Sequence, residues 1–430
     1  MDCPTIRLST QTSKLFDTLR KEALYVPGAN VILKESVIIC VQHLLETNIL
    51  LFEALLIQGF RAENIFIKGK PYSTHEGTRA QLRKKGIFVF KENHSYLNCG
   101  DYAEKNTEEI INFWREILTT LKNKPNIRNL IVVDDGGKAR ELIPKRCLEK
   151  YNVLSIEQTQ YGVNTLVENI TPYISVATSK TKKEMESGAV AQTIIEKLKK
   201  NLKTNTLPNN WVYGVIGYGA IGAALTRQLI KNGLVTHVYD KQPVSLLSPA
   251  KNHQKIENCI NESDIIFGCT GNDISKAFNF QPKIKKHRIL VSCSSEEKEF
   301  LTLLRKEKKR KDFILEKVRI DSETNSPFTI LNGGYPINFD LSATSVPLKD
   351  IRLTRALIYA AIIQATRILS NKDDIQTLKK PIALDNYFQT IITEILCDKV
   401  DLECLSIPST YKYTTEHHPL RTLLNRELSV

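Results

Sequence analysis

The sequence predicts an α/β protein built from two doubly wound domains. Three observations predict it: two series of short β-branched runs alternate with helical stretches, a polar segment separates the series, and a glycine-rich turn opens the second. Strands separated by helices cannot pair as tight hairpins, so each series implies a parallel sheet.

In the first series Val37-Ile38-Ile39-Cys40 reads as a strand, and apolar residues at helical spacing run from Leu44 to Ile57 and stop at Gly59. Ile65-Phe66-Ile67, Ile87-Phe88-Val89-Phe90 and Leu130-Ile131-Val132-Val133 are further short strands. The lysine- and asparagine-rich stretch from Lys199 to Asn210 reads as a hinge, the second series begins at Trp211, and it ends near Asn338. From Arg352 to Leu369 apolar residues recur at i, i+3 and i+4, a long helix expected to return to the first domain and make it discontinuous. The expected division is therefore a substrate domain over 1–195, a nucleotide domain over 196–342, the returning helix within 343–380, and a C-terminal extension over 381–430.

Composition narrows the function classes. A hydrophobic share of 42% and a charged share of 25% over 430 residues are those of a globular protein with room for two or three cores. No apolar run approaches the roughly 18–20 residues that cross a bilayer, and the start lacks the basic and apolar regions of a secretory signal, so no membrane partner and a cytoplasmic location are expected. The nine cysteines include no CxxC pair, and no metal-binding set is expected. Sixty basic against forty-seven acidic residues leave +13, but the densest run, Arg305 to Lys311, reads as a solvated helix end or loop. Without stacking aromatics or a recognised module beside that charge, a nucleic-acid partner is not expected.

Val212-Tyr213-Gly214-Val215-Ile216 is a buried-strand pattern that runs into Gly217-Tyr218-Gly219-Ala220-Ile221-Gly222 and then a helix to about Asn232. This layout is the dinucleotide fingerprint of a Rossmann domain: Gly217 permits the turn, Gly219 keeps a Cβ away from the pyrophosphate, and Gly222 lets the helix pack on the strand. The helix N-terminus, with Ala220 and Ile221, presents N–H groups and a positive dipole end to phosphates. The next strand, Thr236-His237-Val238-Tyr239, ends in Asp240, whose carboxylate would accept the ribose hydroxyls and repel a 2′-phosphate, which favours NAD over NADP. His237 within that strand reads as a packed residue. The run Ile265 to Asn272, with Thr270 and Gly271, carries small residues that would let the chain pass under the ligand. The alternative is a structural Rossmann fold that holds no nucleotide.

Several segments around that domain resemble the S-adenosylhomocysteine hydrolase family, from about Val37 to about Leu369. Val133-Asp134-Asp135-Gly136-Gly137 resembles its DDGG motif, Glu157-Gln158-Thr159-Gln160-Tyr161-Gly162-Val163 its EETTTGV segment, and Thr178-Ser179-Lys180-Thr181-Lys182 its TKSK. Cys40 to Thr47 falls where the family has CLHMTVET, Tyr72-Ser73-Thr74 where it has FST, and Gly334 to Asn338 where it has GRLVN. The resemblance implies a bound NAD that transiently oxidises a ribose 3′-hydroxyl so that a 5′ thiol can be eliminated. It assigns proton handling to Lys180 and Asp135, adenine recognition to Glu46, and cofactor contacts to Thr159 and Asn338. It also implies a homo-oligomer.

The chain departs from the family at other positions. The histidine of HMTVET is Gln42, with His43 adjacent; the carboxylate that holds the ribose is Gln158; the DN pair after the lysine is Glu184-Met185; and the histidine of NIGHFD has no counterpart in Ser292 to Glu297. Gln42, Gln158 and Glu184 are thus expected to line an altered substrate pocket. The expectation is an NAD-dependent enzyme that oxidises a secondary alcohol of a nucleoside-like substrate, with or without thioether hydrolysis. The competing expectation is an inactive NAD-binding relative that acts through partners.

Overall fold

The computed structural model describes residues 10–23, 29–92, 102–165, 171–244, 249–278, 287–296, 298–306, 317–320, 327–370, 375, 378 and 381–397. Most of the basic run from Arg305 to Lys311, Glu297 and the part of the C-terminal extension from 398 on lie outside them.

The protein is α/β, with two doubly wound sheets of seven strands each. The first contains β1 (Ser36–Gln42), β2 (Ile65–Gly69), β3 (Phe88–Val89), β4 (Asn129–Asp134), β5 (Asn152–Glu157) and β6 (Tyr173–Ser175). The second contains β7 (Val212–Ile216), β8 (Val235–Tyr239), β9 (Lys251–Asn252), β10 (Ile265–Gly268), β11 (Arg288–Ser292), β12 (Val318–Ile320) and β13 (Phe328–Ile330). β14 (Ile382–Ala383) then pairs in parallel with β6, so the chain returns to its first sheet and the Rossmann domain is an insertion.

Strand order in the first sheet is β14-β6-β5-β4-β1-β2-β3 and in the second β12-β13-β11-β10-β7-β8-β9, every pair parallel except β12 with β13. Each order reverses direction beside its first strand, between β1 and β4 and between β7 and β10. Ligands of open α/β sheets settle at such a reversal, outside the carboxyl ends of the strands.

The period of two along β1 shows why the strands form. Ile38 and Cys40 enter the core shared with the helices Thr47–Gln58 and Leu348–Ser370, while Val37, Ile39 and Val41 enter the opposite core with the helix Tyr102–Leu121. Both faces are covered, which is why the strand reads as an unbroken apolar run. The helix Thr47–Gln58 stops at Gly59, whose φ of 112° is left-handed.

Two expected boundaries shift. The helix Lys180–Leu202 runs through the expected junction at 195/196 and through the start of the hinge, and its second half packs Ala191, Ile194, Ile195 and Leu198 into the core of the second sheet. An amphipathic helix with a surface to bury at each end has no reason to break between them. Residues 381–397, placed with the extension, are part of the first domain: β14 joins its sheet, and the helix Asn386–Cys397 buries Phe388, Ile392 and Leu396 in its core. No helix among the described residues is long and apolar enough to cross a membrane.

Candidate functional site

At the reversal of the second sheet, β7 ends in Gly217, whose φ is 96° and whose N–H donates to Tyr239 O at 2.8 Å. A Cβ on Gly217 would stand 2.8 Å from the Cys269 backbone, and one on Gly222 would stand 1.9 Å from Gly217 O. These two glycines close the turn and seat the helix Ala220–Lys231. Gly219, the cap of that helix, differs: nothing lies within 4 Å of where its Cβ would be. With Ala220 exposed and Ile221 half-buried, the space above the turn is open to a ligand. Asp240, just past β8, accepts from Tyr218 N at 2.6 Å and Gln242 N at 2.8 Å, which holds its carboxylate beside the turn. An open glycine cradle, a helix N-terminus and a fixed carboxylate fit a nicotinamide dinucleotide.

Residues 212–296 match the family described as NADP oxidoreductase, coenzyme F420-dependent. They form a nicotinamide dinucleotide-binding domain. Over 343 residues the chain is 27% identical to an uncharacterized protein of Mycobacterium tuberculosis strain CDC 1551 / Oshkosh, and equally to one of strain H37Rv; the match takes in 78% of this chain and 66% of either relative. The chain thus spans 66% of the length of the curated relatives it matches. Among solved structures it is similar to an NADPH-dependent glyoxylate/hydroxypyruvate reductase from Sinorhizobium meliloti in complex with NADP and malonate, at 12% identity and a TM-score of 0.36 over 76% of this chain and 92% of that one. It is also similar to an NAD-dependent formate dehydrogenase from Staphylococcus aureus in complex with NAD, at 16% identity and a TM-score of 0.29 over 51% of this chain and 66% of that one.

The loop after β10 differs from expectation. Glu299, fully buried, accepts from Thr270 N at 2.6 Å, Thr270 Oγ1 at 2.8 Å, Gly271 N at 2.6 Å and Ser294 Oγ at 2.6 Å. Burial pushes its pKa up while those donors pull it down. A buried carboxylate must collect donors, so the groups of Thr270 and Gly271 expected to face a cofactor hold Glu299 instead. Thr159 is similarly engaged, its N–H and hydroxyl both donating to Glu157 Oε1 at 2.8 and 2.7 Å. Asn338 is buried in the turn that Asn332 Nδ2 pins by donating to Pro336 O and Phe339 O at 3.0 and 2.8 Å.

The first sheet's reversal gathers a polar cluster from the carboxyl ends of four strands: Gln42 and His43 from β1, Lys70 from just past β2, Asp135 from just past β4, and Gln158 from just past β5. Lys70 Nζ donates to Asp135 Oδ1 at 2.6 Å, Gln158 Nε2 donates to Asp135 Oδ2, and His43 Nε2 lies 3.4 Å from that same oxygen. His43 Nδ1 is 2.5 Å from Ser73 Oγ. The tautomer that satisfies both contacts carries hydrogen on Nε2 and accepts at Nδ1. Gln42 Oε1 accepts from Arg355 Nη1 at 3.4 Å, and Gln42 Nε2 and Gln158 Oε1 are buried without a hydrogen bond.

The charges follow from these contacts. Burial works against the Asp135 carboxylate, but Lys70, His43 and Lys182 override it and hold its pKa well below the usual range. Burial likewise works against the Lys70 ammonium, yet Asp135, Tyr72 and Glu296 keep its pKa above the ordinary value. Burial lowers His43 to about 3, aided by Lys70, Arg355 and Lys182 and opposed by Asp135, so the ring is neutral. Arg355 falls to about 10 through burial, against the pull of Asp135 and Glu186.

Lys180 and Glu184 take different places from those expected. Both are exposed, Lys180 as the first residue of the helix Lys180–Leu202. Lys182 turns inward instead, donating to Gln158 O at 2.8 Å and pairing with Glu186 at 3.0 Å. Residues two apart on a helix point about 200° apart, so Lys180 and Lys182 cannot share a face, and the inward pair is 182 with 186. Glu46, to which the resemblance assigned adenine recognition, is the half-buried residue at the N-terminal end of the helix Thr47–Gln58, where its side chain makes no capping bond and its N–H donates to Ala343 O at 3.0 Å.

The domains meet over this cluster. The ring of Tyr335 stacks on Tyr72 at 5.0 Å and that of Phe339 on His43 at 4.1 Å, while Lys298 Nζ stands 3.5 Å over the Tyr161 ring. Sequence reasoning missed Lys70 and Arg355. A lysine directly after a strand-ending glycine, and an arginine within an apolar helix, were the available signals.

Proposed function

We propose that the protein is an NAD-dependent oxidoreductase that removes hydride from a secondary alcohol, the proton leaving through Ser73 and His43. The observation that carries this reading is the continuous set Ser73–His43–Asp135–Lys70 at one sheet reversal, under the domain that bears the open dinucleotide cradle. When bound, the nicotinamide accepts the hydride. His43 Nδ1 is a neutral acceptor reached through the Ser73 hydroxyl, its Nε2–H faces Asp135, and that carboxylate offsets the imidazolium formed on protonation. Lys70 holds Asp135 ionised and in place. NAD is preferred to NADP because Asp240 would oppose a 2′-phosphate.

A nucleoside-like substrate, oxidised at a ribose hydroxyl as in S-adenosylhomocysteine hydrolases, is the finer reading, and it rests on the motifs. Purified protein supplied with NAD and a nucleoside panel is expected to give nicotinamide reduction with at least one member. His43→Asn is expected to lower that rate by about 100-fold or more, the scale of general-base loss, with NAD content unchanged. Lys180→Met is expected to leave the rate near wild type. Silence across the panel favours the inactive NAD-binding protein, a reading that the engagement of Thr270 and Gly271 by Glu299 also supports.

A further inference from the structure

Outside this site, three potential ligands converge at the far edge of the second sheet. His237 lies within β8, His253 follows β9, and Glu262 is the last residue of the helix Ile256–Glu262. His237 Nδ1 is 3.1 Å from His253 Nε2 and 3.6 Å from Glu262 Oε2, and His253 Nε2 is 3.8 Å from the same oxygen. We propose that these three side chains form a binding site for a divalent cation of the zinc class.

The argument is geometric. A triangle with those sides has a circumscribed radius of about 2.0 Å, so one point stands at metal–ligand distance, roughly 2.0–2.2 Å, from all three atoms at once. Two imidazole nitrogens and one carboxylate oxygen suit zinc, cobalt or nickel, whereas calcium and magnesium call for oxygen shells. Both imidazoles are buried, at 9% and 4% side-chain exposure, while Glu262 is 44% exposed, so the fourth position opens to solvent for a water. The strand order of the second sheet explains the benefit. β9 is a two-residue edge strand, joined to β8 by the pairs His237 with Lys251 and Val238 with Asn252, and a cation would clamp that edge and the helix end onto β8.

The same contacts could instead be a hydrogen bond between two imidazoles beside an ion pair, since Lys251 Nζ lies 2.5 Å from Glu262 Oε2. That ammonium competes for the oxygen a cation would use, and this gives the two readings opposite expectations. Metal-stripped full-length protein titrated with cobalt(II) is expected to bind one ion per chain with the intense visible absorption of a four-coordinate site, to release it to zinc, and to gain thermal stability. Glu262→Gln, on an exposed side chain that leaves folding intact by circular dichroism, is expected to weaken binding by about 10-fold or more, and His253→Asn to abolish it. Lys251→Ala is expected to tighten it. The proposal is overturned if no stoichiometric binding occurs, if Glu262→Gln and His253→Asn bind like wild type, or if thiolate charge-transfer bands place the ion on Cys269 and Cys293.

Discussion

Asp134 and Glu157 face each other as register partners on adjacent parallel strands, both fully buried. Asp134 Oδ1 and Glu157 Oε2 each lack a hydrogen bond, whereas Glu157 Oε1 accepts from Gly136 N at 3.2 Å as well as from Thr159. Burial raises both pKa values, and the neighbouring Asp134 charge raises that of Glu157 further, to about 8. The sign follows from linkage: a carboxyl raised in the folded state stabilises fully below its ordinary pKa of 4.5 and loses that contribution as pH climbs through the raised value. Glu157→Gln, which is neutral at every pH, is expected to match or exceed the wild-type Tm at pH 8 and to lose ground as pH falls to 5. A deficit that is equal at both pH values would contradict the raised pKa of Glu157. His43 works in the opposite direction. Its depressed pKa stabilises above the ordinary value of 6.5, and that contribution is lost as pH falls towards about 3.

The turn between β7 and the helix Ala220–Lys231 divides its glycines by task. Gly222→Ala would drive a Cβ to 1.9 Å from Gly217 O, a backbone atom that cannot step aside, so the turn must distort and soluble yield or Tm is expected to fall sharply. Gly219→Ala meets no protein atom within 4 Å, so its Tm is expected to stay within a few degrees of wild type, while NAD affinity measured by calorimetry falls about 10-fold, or about 1.4 kcal/mol. Equal affinity in Gly219→Ala would mean that the pyrophosphate does not approach this residue. The helix Lys180–Leu202 shows the limit of periodic reading. Lysines at 180 and 182 and carboxylates at 184 and 186 are interchangeable in a charge pattern, and the rotation that turns 182 and 186 inward is set by the apolar residues further along the same helix.

The molecule is held together by contacts between segments distant in sequence. Phe388 and Ile392 pack into the core that also contains Leu15, Ile38 and Ile358, so Phe388→Ala is expected to cost about 3–5 kcal/mol in denaturant unfolding. A loss below about 1 kcal/mol would show that residues 381–397 are dispensable to that core. The alternation of strands and helices, the glycine turn with its following carboxylate, and a long apolar helix from Arg352 to Leu369, within the observed Leu348–Ser370, were legible in the chain because each depends on local periodicity or on backbone freedom at single residues. Asp135 and Gln158 were singled out differently, by the resemblance of their segments to the DDGG and EETTTGV motifs of the S-adenosylhomocysteine hydrolase family. Two of the charges around Asp135 could not be singled out. Lys70 lies 65 positions before it, and Arg355, which feels its charge, 220 after it. Such pairings arise when sheet order brings strand ends together, and a buried charge then settles with whichever opposite charge that order supplies.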